Sequence, residues 1–267
     1  FNWWEYYNAG LEIYNEKHRD FAKKVINFYN ENKENLTQVE RKFHCGTVQT
    51  PVNFIIHLEN IDYKLFPYEY NMSDLNRKEL DKININFKNL HGLINNAANN
   101  PKVGEGAISA RLEDFPLELW QKDIEVGLTG SLICTKFFGS LLASKHSGGS
   151  ILNISSDLGL IGPDQRIYEK DFVKPISYSV VKSGIIGLTK YTATYWADKN
   201  VRCNAICPGG VDNNQSKDFL KKIERLVPLG RLAKAEEYQG VSVWILSDAS
   251  SYLTGSIISV DGGRTAW

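Results

Sequence analysis

The apolar positions of this chain fall into two alternating patterns. Short, nearly unbroken apolar runs close on small polar residues: His91-Gly-Leu-Ile-Asn-Asn-Ala-Ala98, Ser150-Ile-Leu-Asn-Ile-Ser-Ser156, Val201 to Cys207 (stopped by Pro208-Gly209-Gly210), and Ser256 to Val260 before Asp261-Gly-Gly263. Runs of that kind read as parallel strands covered on both faces. Between them lie longer stretches with helical spacing: 114 to 144, interrupted by Gly127 and Gly130, then Ser177 to Lys199, and 235 to 247. Asp74 to Asn89 fits an amphipathic helix less regularly. Strands alternating with helices predict βαβ units, hence an α/β fold built on a single doubly wound parallel sheet with helices on both faces. Such sheets bind ligands beyond the carboxyl ends of their strands, so the residues that end each run are the candidates for function.

The first 70 residues do not follow this scheme. Phe21 to Phe28 is a candidate helix, and Val52-Asn-Phe-Ile-Ile-His-Leu58 and Lys64 to Tyr70 are candidate strands, in no order that the pattern fixes. The composition shifts as well. Of the 31 aromatic residues 15 lie in these 70 positions, while of the 21 glycines only Gly10 and Gly46 precede Gly92. No linker separates the regions, and 267 residues fit one hydrophobic core. The expectation is one domain over 1–267, irregular or divergent over 1–70 and regular over 71–267.

The formal net charge is zero, which argues against a nucleic-acid or membrane-surface partner. No basic-then-apolar leader and no unbroken apolar run of membrane-spanning length stands out. Cys45, Cys134, Cys203 and Cys207 have no CxxC spacing and no histidine nearby, so they read as free thiols in a reduced, cytoplasmic setting rather than as metal ligands.

The sharpest chemical signal is Tyr178-Ser-Val-Val-Lys182, with Ser155-Ser156 ending the strand before it. Residues four apart on a helix share a face. A free tyrosine titrates near about 10, and an adjacent ammonium is expected to favour the phenolate and bring that value down. Such a tyrosine can pass a proton to or from a substrate hydroxyl or carbonyl, and a serine hydroxyl at the strand end can hold the same oxygen.

Together these residues resemble the short-chain dehydrogenase/reductase family. Asn95-Asn-Ala-Ala98 is similar to its NNAG element, Asn153-Ile-Ser-Ser156 to its catalytic-serine strand, Tyr178 and Lys182 to its catalytic pair, and Pro208-Gly209 with Val211 to the loop that faces the nicotinamide. Ser247 to Gly255 and Val260-Asp-Gly-Gly263 resemble its C-terminal signature. The resemblance implies a Rossmann-like fold and catalytic residues Ser156, Tyr178 and Lys182. It implies NAD or NADP held by Asn95, Ala97, Tyr178, Lys182, Pro208, Gly209 and Val211, with no metal. It also implies a small-molecule substrate and a homodimer or homotetramer assembled through the two long helices and the closing strand. Arg111 to Trp120, Ser156 to Gln165 and Ala193 to Asp198 further resemble the flagellin modification protein A group, implying a sugar or sugar-nucleotide substrate of surface-glycan synthesis.

Three departures qualify the match. Gly127-Leu-Thr-Gly130 stands where the family has an asparagine that holds a helix kink and a relay water. Tyr178 follows Ser156 by 22 positions, a longer spacing than the family's, and the added loop, with Arg166 and Lys170 as candidate phosphate contacts, is expected to serve substrate recognition or a lid. The family's TGxxxGxG cofactor loop, whose glycines admit the pyrophosphate to a helix N-terminus, has no counterpart upstream of Asn71-Met-Ser-Asp74. Residues 1–70 are therefore either a divergent segment or a shifted reading frame, of which Phe1-Asn-Trp-Trp4 is a candidate trace. The leading reading is an NAD(P)-dependent oxidoreductase; the alternative is a catalytically silent binding or partner subunit on the same fold.

Overall fold

A computed structural model describes residues 54–56, 90–99, 111–168, 172–213 and 215–267. The segments Phe21–Phe28, Lys64–Tyr70 and Asp74–Asn89, with Cys45, Glu169 and Lys170, lie outside the described residues.

Among the described residues five strands form one sheet in the order β1 (Phe54–Ile56), β2 (Gly92–Asn95), β3 (Gly149–Ile154), β4 (Val201–Pro208) and β5 (Ile257–Val260). Strands β2 to β5 are parallel, as the apolar runs predict, with Leu93 opposite Ile151, Ile151 opposite Cys203, and Ala205 opposite Ile257. The short β1 pairs antiparallel with β2, Phe54 opposite Ile94, so the sheet is not parallel throughout.

Both faces of the parallel part are covered. Leu93, Ile151 and Cys203 turn to one face and pack with Cys134, Phe138, Leu142 and Ala193. Those residues belong to α1 (Leu117–Ala143) and α2 (Ile176–Tyr195). Ile94, Leu152 and Ile206, an odd number of positions on in each strand, turn to the other face and meet Ile245 of α4 (Gln239–Leu246). The two-residue period of a strand produces this division. By length and composition α1 is apolar enough to cross a membrane, although its apolar residues do not form an unbroken run. Its contacts with the sheet account for that apolarity.

Helix α1 is not regular. Glu125–Thr129 and Thr135–Gly139 are π-helical turns within it. Such a turn widens the helix locally and is common near functional sites. The first contains Gly127, so the expected irregularity at the glycine is present. Helix α3 (Lys217–Glu224) is an addition to the predicted elements, hidden in the sequence because its eight residues are mostly charged. Its signal is Ser216, whose hydroxyl accepts from the Phe219 N–H at 3.3 Å, ahead of Phe219, Leu220 and Ile223 at helical spacing.

Candidate active site at the strand ends

Parallel pairing brings the carboxyl ends of β2, β3 and β4 to one edge, where Asn95, Ser155-Ser156 and Pro208-Gly209 follow one another. Asn95 is fully buried: its amide donates to Thr135 Oγ1 of α1 at 2.9 Å and to Asn153 Oδ1 at 2.8 Å. Asn153 in turn donates to Thr189 Oγ1 of α2 at 2.9 Å. This polar ladder locks both long helices to the sheet. The Asn95 side chain therefore braces the sheet, while Ala97, half-buried in the loop beyond, lies at its edge. Asn99 donates to Asp123 Oδ1 at 2.9 Å, and Asp123 Oδ2 receives the Ser177 hydroxyl at 2.5 Å. These bonds tie the start of α2, one residue before Tyr178, to α1.

The predicted catalytic residues converge. Ser156 lies beside the Tyr178 phenol, close enough for its hydroxyl to favour the phenolate. Lys182 is buried, its Nζ donating to the Ile154 carbonyl at 2.9 Å and lying 5.7 Å from the centre of the Tyr178 ring. Tyr178 and Lys182 share one face of α2 because four residues make about one turn. Their electrostatics differ from the expectation. Burial pushes the phenol up to about 12, with Asp157 adding to the rise and the Ser156 hydroxyl opposing it. Burial also brings Lys182 down to about 8, against the attraction of Cys207. Desolvation outweighs the mutual attraction because it opposes the charged form of both groups.

The loop of Pro208, Gly209 and Val211 is tied at several points. The Gly209 N–H donates to the Val260 carbonyl at 3.0 Å, and Val211 bridges to Ala233. A side chain at 209 would meet the Asp261 backbone at 2.8 Å, so β4 leaves the sheet hard against the C-terminal turn.

The loop between Ser156 and Tyr178 is built rather than open. Asp157–Gly159 and Gln165–Ile167 are 3₁₀ turns, and Ile167 packs on Ile223 and Leu232. Arg166 does not face the site: its exposed guanidinium is held by Asp164, Nη2 to Oδ2 at 2.8 Å. That pairing holds the Asp164 carboxyl down at about 2.

Three residues that the sequence did not single out belong to the site. The Gln165 side chain clasps the backbone of Lys174, accepting from its N–H at 2.9 Å and donating to its carbonyl at 3.3 Å. The Lys174 ammonium then lies 3.8 Å over the Tyr178 ring, closer than Lys182. Burial lowers Lys174 to about 8, with Asp157 pulling the other way. The remaining two are Asp157 and Arg264, both buried, whose Oδ2 and Nε approach to 3.1 Å. Gly262 and Gly263, with φ of 67° and 91°, make the left-handed turn that delivers Arg264 there. The adjacency of Asp157 to Ser156 and of Arg264 to Asp261-Gly-Gly263 was the available signal.

Among the described residues no group of three or more His, Cys, Asp or Glu side chains is placed to hold a metal ion. The donor set suits the nicotinamide half of a dinucleotide. An ammonium carries three N–H donors, and one of those on Lys182 is used on Ile154, leaving donors for a sugar diol. Asn99 Oδ1, in the segment after β2, is buried and has no hydrogen-bond partner among the described residues.

Comparison with known proteins agrees. The family model described as Enoyl-(Acyl carrier protein) reductase matches residues 73–265. A 3-oxoacyl-(acyl-carrier-protein) reductase of Thermotoga maritima is 31% identical over 210 residues, covering 77% of this chain and 79% of the relative. Glucose 1-dehydrogenase 2 of Bacillus subtilis is 30% identical over 195 residues, with 70% and 69% covered. A crystal structure of a short-chain dehydrogenase from Leptospira borgpetersenii with bound NAD+ superposes with a TM-score of 0.61 at 32% identity, covering 71% of this chain and 72% of that one. An α/β sheet with a serine, tyrosine and lysine at its strand ends, together with these matches, defines an oxidoreductase that uses a nicotinamide dinucleotide. The chain belongs to the short-chain dehydrogenase/reductase family.

Proposed function

We propose that this chain interconverts a hydroxyl and a ketone on a sugar or sugar-nucleotide of surface-glycan biosynthesis, of the flagellin-modification type. The observation that carries the reaction is the convergence of Ser156, Tyr178 and Lys182 at the carboxyl edge of the sheet. When bound, NAD or NADP supplies the hydride acceptor or donor. The protein's own residues handle the proton. Ser156 holds the reacting oxygen, Tyr178 takes or returns the proton on that oxygen, and Lys182 holds the cofactor's ribose and its charge favours the phenolate. Asn95 and Ala97, with Pro208, Gly209 and Val211, line the cofactor side. The silent-subunit alternative rests on Gly127 and on residues 1–70, and no described contact favours it.

The sugar assignment is supported by the stretches Arg111 to Trp120 and Ser156 to Gln165, and by the glucose dehydrogenase among the relatives. We read 1–267 as one domain in which 1–70 takes the place of the usual dinucleotide unit. Leu132 of α1 and Tyr191 and Tyr195 of α2 are exposed, as suits a homodimer or homotetramer formed through these helices. Cys203 and Cys207 are buried free thiols, as suits a reducing cytoplasm.

The test is a titration of the purified protein with NADH and NADPH followed by nicotinamide fluorescence. Micromolar binding of one of them, weakened in Lys182→Met, is the expected result and selects the cofactor for a substrate screen. Binding of neither at high micromolar concentration overturns the reading for this chain.

A further inference from the structure

Ser156 Oγ stands in the middle of a short polar chain. On one side is the Tyr178 phenol; on the other Oγ donates to Asp157 Oδ1 at 2.8 Å. The Leu158 N–H also reaches Oγ at 3.2 Å and Asp157 Oδ1 at 2.8 Å. A hydroxyl has one proton to give. While that proton points at Asp157, Ser156 offers only lone pairs to the phenol and to a substrate oxygen. Once it turns to the substrate, Asp157 Oδ1 keeps the Leu158 N–H alone.

Asp157 is built in for this contact. It is 6% exposed and Arg264 is 5% exposed, so the pair at 3.1 Å is shielded from water. The groups that face it are Arg264 and Asp261 from the C-terminal turn, Tyr168 and Lys174 from the loop before α2, Tyr178 from α2, Cys207 from β4, and Tyr238 ahead of α4. Burial raises the Asp157 pKa, while Ser156, Arg264 and the Leu158 N–H oppose the rise. Gly127 offers no side-chain hydrogen bond where the family asparagine stands.

We propose that Asp157 sets the direction of the Ser156 proton. Ionised, Asp157 accepts that proton and leaves Ser156 with lone pairs towards the site, while the carbinol's own proton goes to Tyr178. Protonated, Asp157 donates to Ser156 Oγ and releases the serine proton towards a carbonyl or developing oxyanion. Asp157 is thus a positioning residue acting through Ser156, and Arg264 holds its carboxylate in register. This inference rests on the reading of Ser156 and Tyr178 as the acid–base site.

The test is a pH titration by NMR of protein carrying 13C at its aspartate carboxyls, with Asp157 assigned through the backbone resonances. Asp157 is expected to titrate above the ordinary carboxylate range. Ser156→Ala removes only a hydroxyl and is expected to move it up by a further roughly half a pH unit or more, since the lost bond favours the charged form. Identical titration in wild type and Ser156→Ala overturns the proposal. That arm reads the coupling whether or not the chain turns over a carbinol, so its failure is separate from failure of the oxidoreductase reading. With a substrate in hand, Asp157→Asn is expected to lose the lower limb of the kcat/KM profile for oxidation and keep the upper, Tyr178 limb. Arg264→Met is expected to shift the lower limb to higher pH. An Asp157→Asn profile that superimposes on wild type overturns the proposal as well.

Discussion

Gly127 of α1 and Val181 of α2 approach so closely that a methyl group at 127 would lie 2.6 Å from Val181 Cγ1. The contact is reciprocated one turn along, where a methyl at Gly184 of α2 would lie 2.9 Å from Leu128 Cδ2. Each helix receives a side chain of the other at a glycine, and Val181 lies one residue before Lys182. Gly127 is therefore a packing requirement of this chain as well as the loss of the family's asparagine. Restoring asparagine by Gly127→Asn is expected to destabilise the fold by about 1–3 kcal/mol through overpacking, read as a lower Tm. Adding Val181→Ala is expected to recover part of that loss. A Gly127→Asn protein at least as stable as wild type would contradict the close crossing.

Tyr178 carries the second prediction. Tyr178→Phe removes one hydroxyl and is expected to lower kcat by roughly 10²–10⁴-fold, the usual value of a positioned acid–base group. Nicotinamide binding should persist. Burial places the free-site phenol at about 12, and kcat/KM reports groups of the free enzyme. The wild-type profile for carbinol oxidation is therefore expected to keep rising above pH 8. A plateau near neutrality would mean that Lys174 and Lys182 outweigh desolvation after all.

The strands and the long helices were readable in the sequence because each follows from a period within one element, whereas Ser156, Tyr178 and Lys182 were readable through the family resemblance of the motifs around them. Leu93, Ile151 and Cys203 lie in runs whose alternation the sheet then divides between two faces. What was not readable depends on contacts between distant segments. Asp157 and Arg264 meet only because β3, β4 and β5 lie side by side and the glycine turn after β5 folds back. Lys174 lies over Tyr178 because a glutamine nine residues earlier holds its backbone. Arg166 looked free to meet a phosphate because nothing in the sequence tells a cation that caps its own turn from one that faces a ligand.

The Asp157–Arg264 pair carries the third prediction. A buried charge left without its partner is costly, about 3–5 kcal/mol. Arg264→Met is expected to destabilise the protein by that order, and Arg264→Met with Asp157→Asn by less than the two single changes added together. Urea unfolding of the four proteins measures the coupling. Additive losses would show that the two side chains do not interact.

The last prediction follows from Lys182. Its pKa is lowered from 10.5 to about 8 in the folded protein by burial. Between these values the unfolded chain binds more protons than the folded one, so stability rises with pH through that window. Below pH 8 the folded state carries the full penalty, and above 10.5 it carries none. A tenfold change in proton affinity is worth about 1.4 kcal/mol, which makes the full effect roughly 3 kcal/mol. Cys203 and Tyr178 are shifted upward and act in the opposite direction at high pH, so the wild-type curve alone does not isolate the lysine. The difference in unfolding free energy between wild type and Lys182→Met does, because those groups are common to both proteins. That difference is expected to favour Lys182→Met most at pH 7 and to shrink steadily towards pH 10.5. A difference independent of pH across 7 to 10.5 would mean that the Lys182 ammonium keeps its ordinary pKa, with the Ile154 carbonyl replacing the water lost on burial.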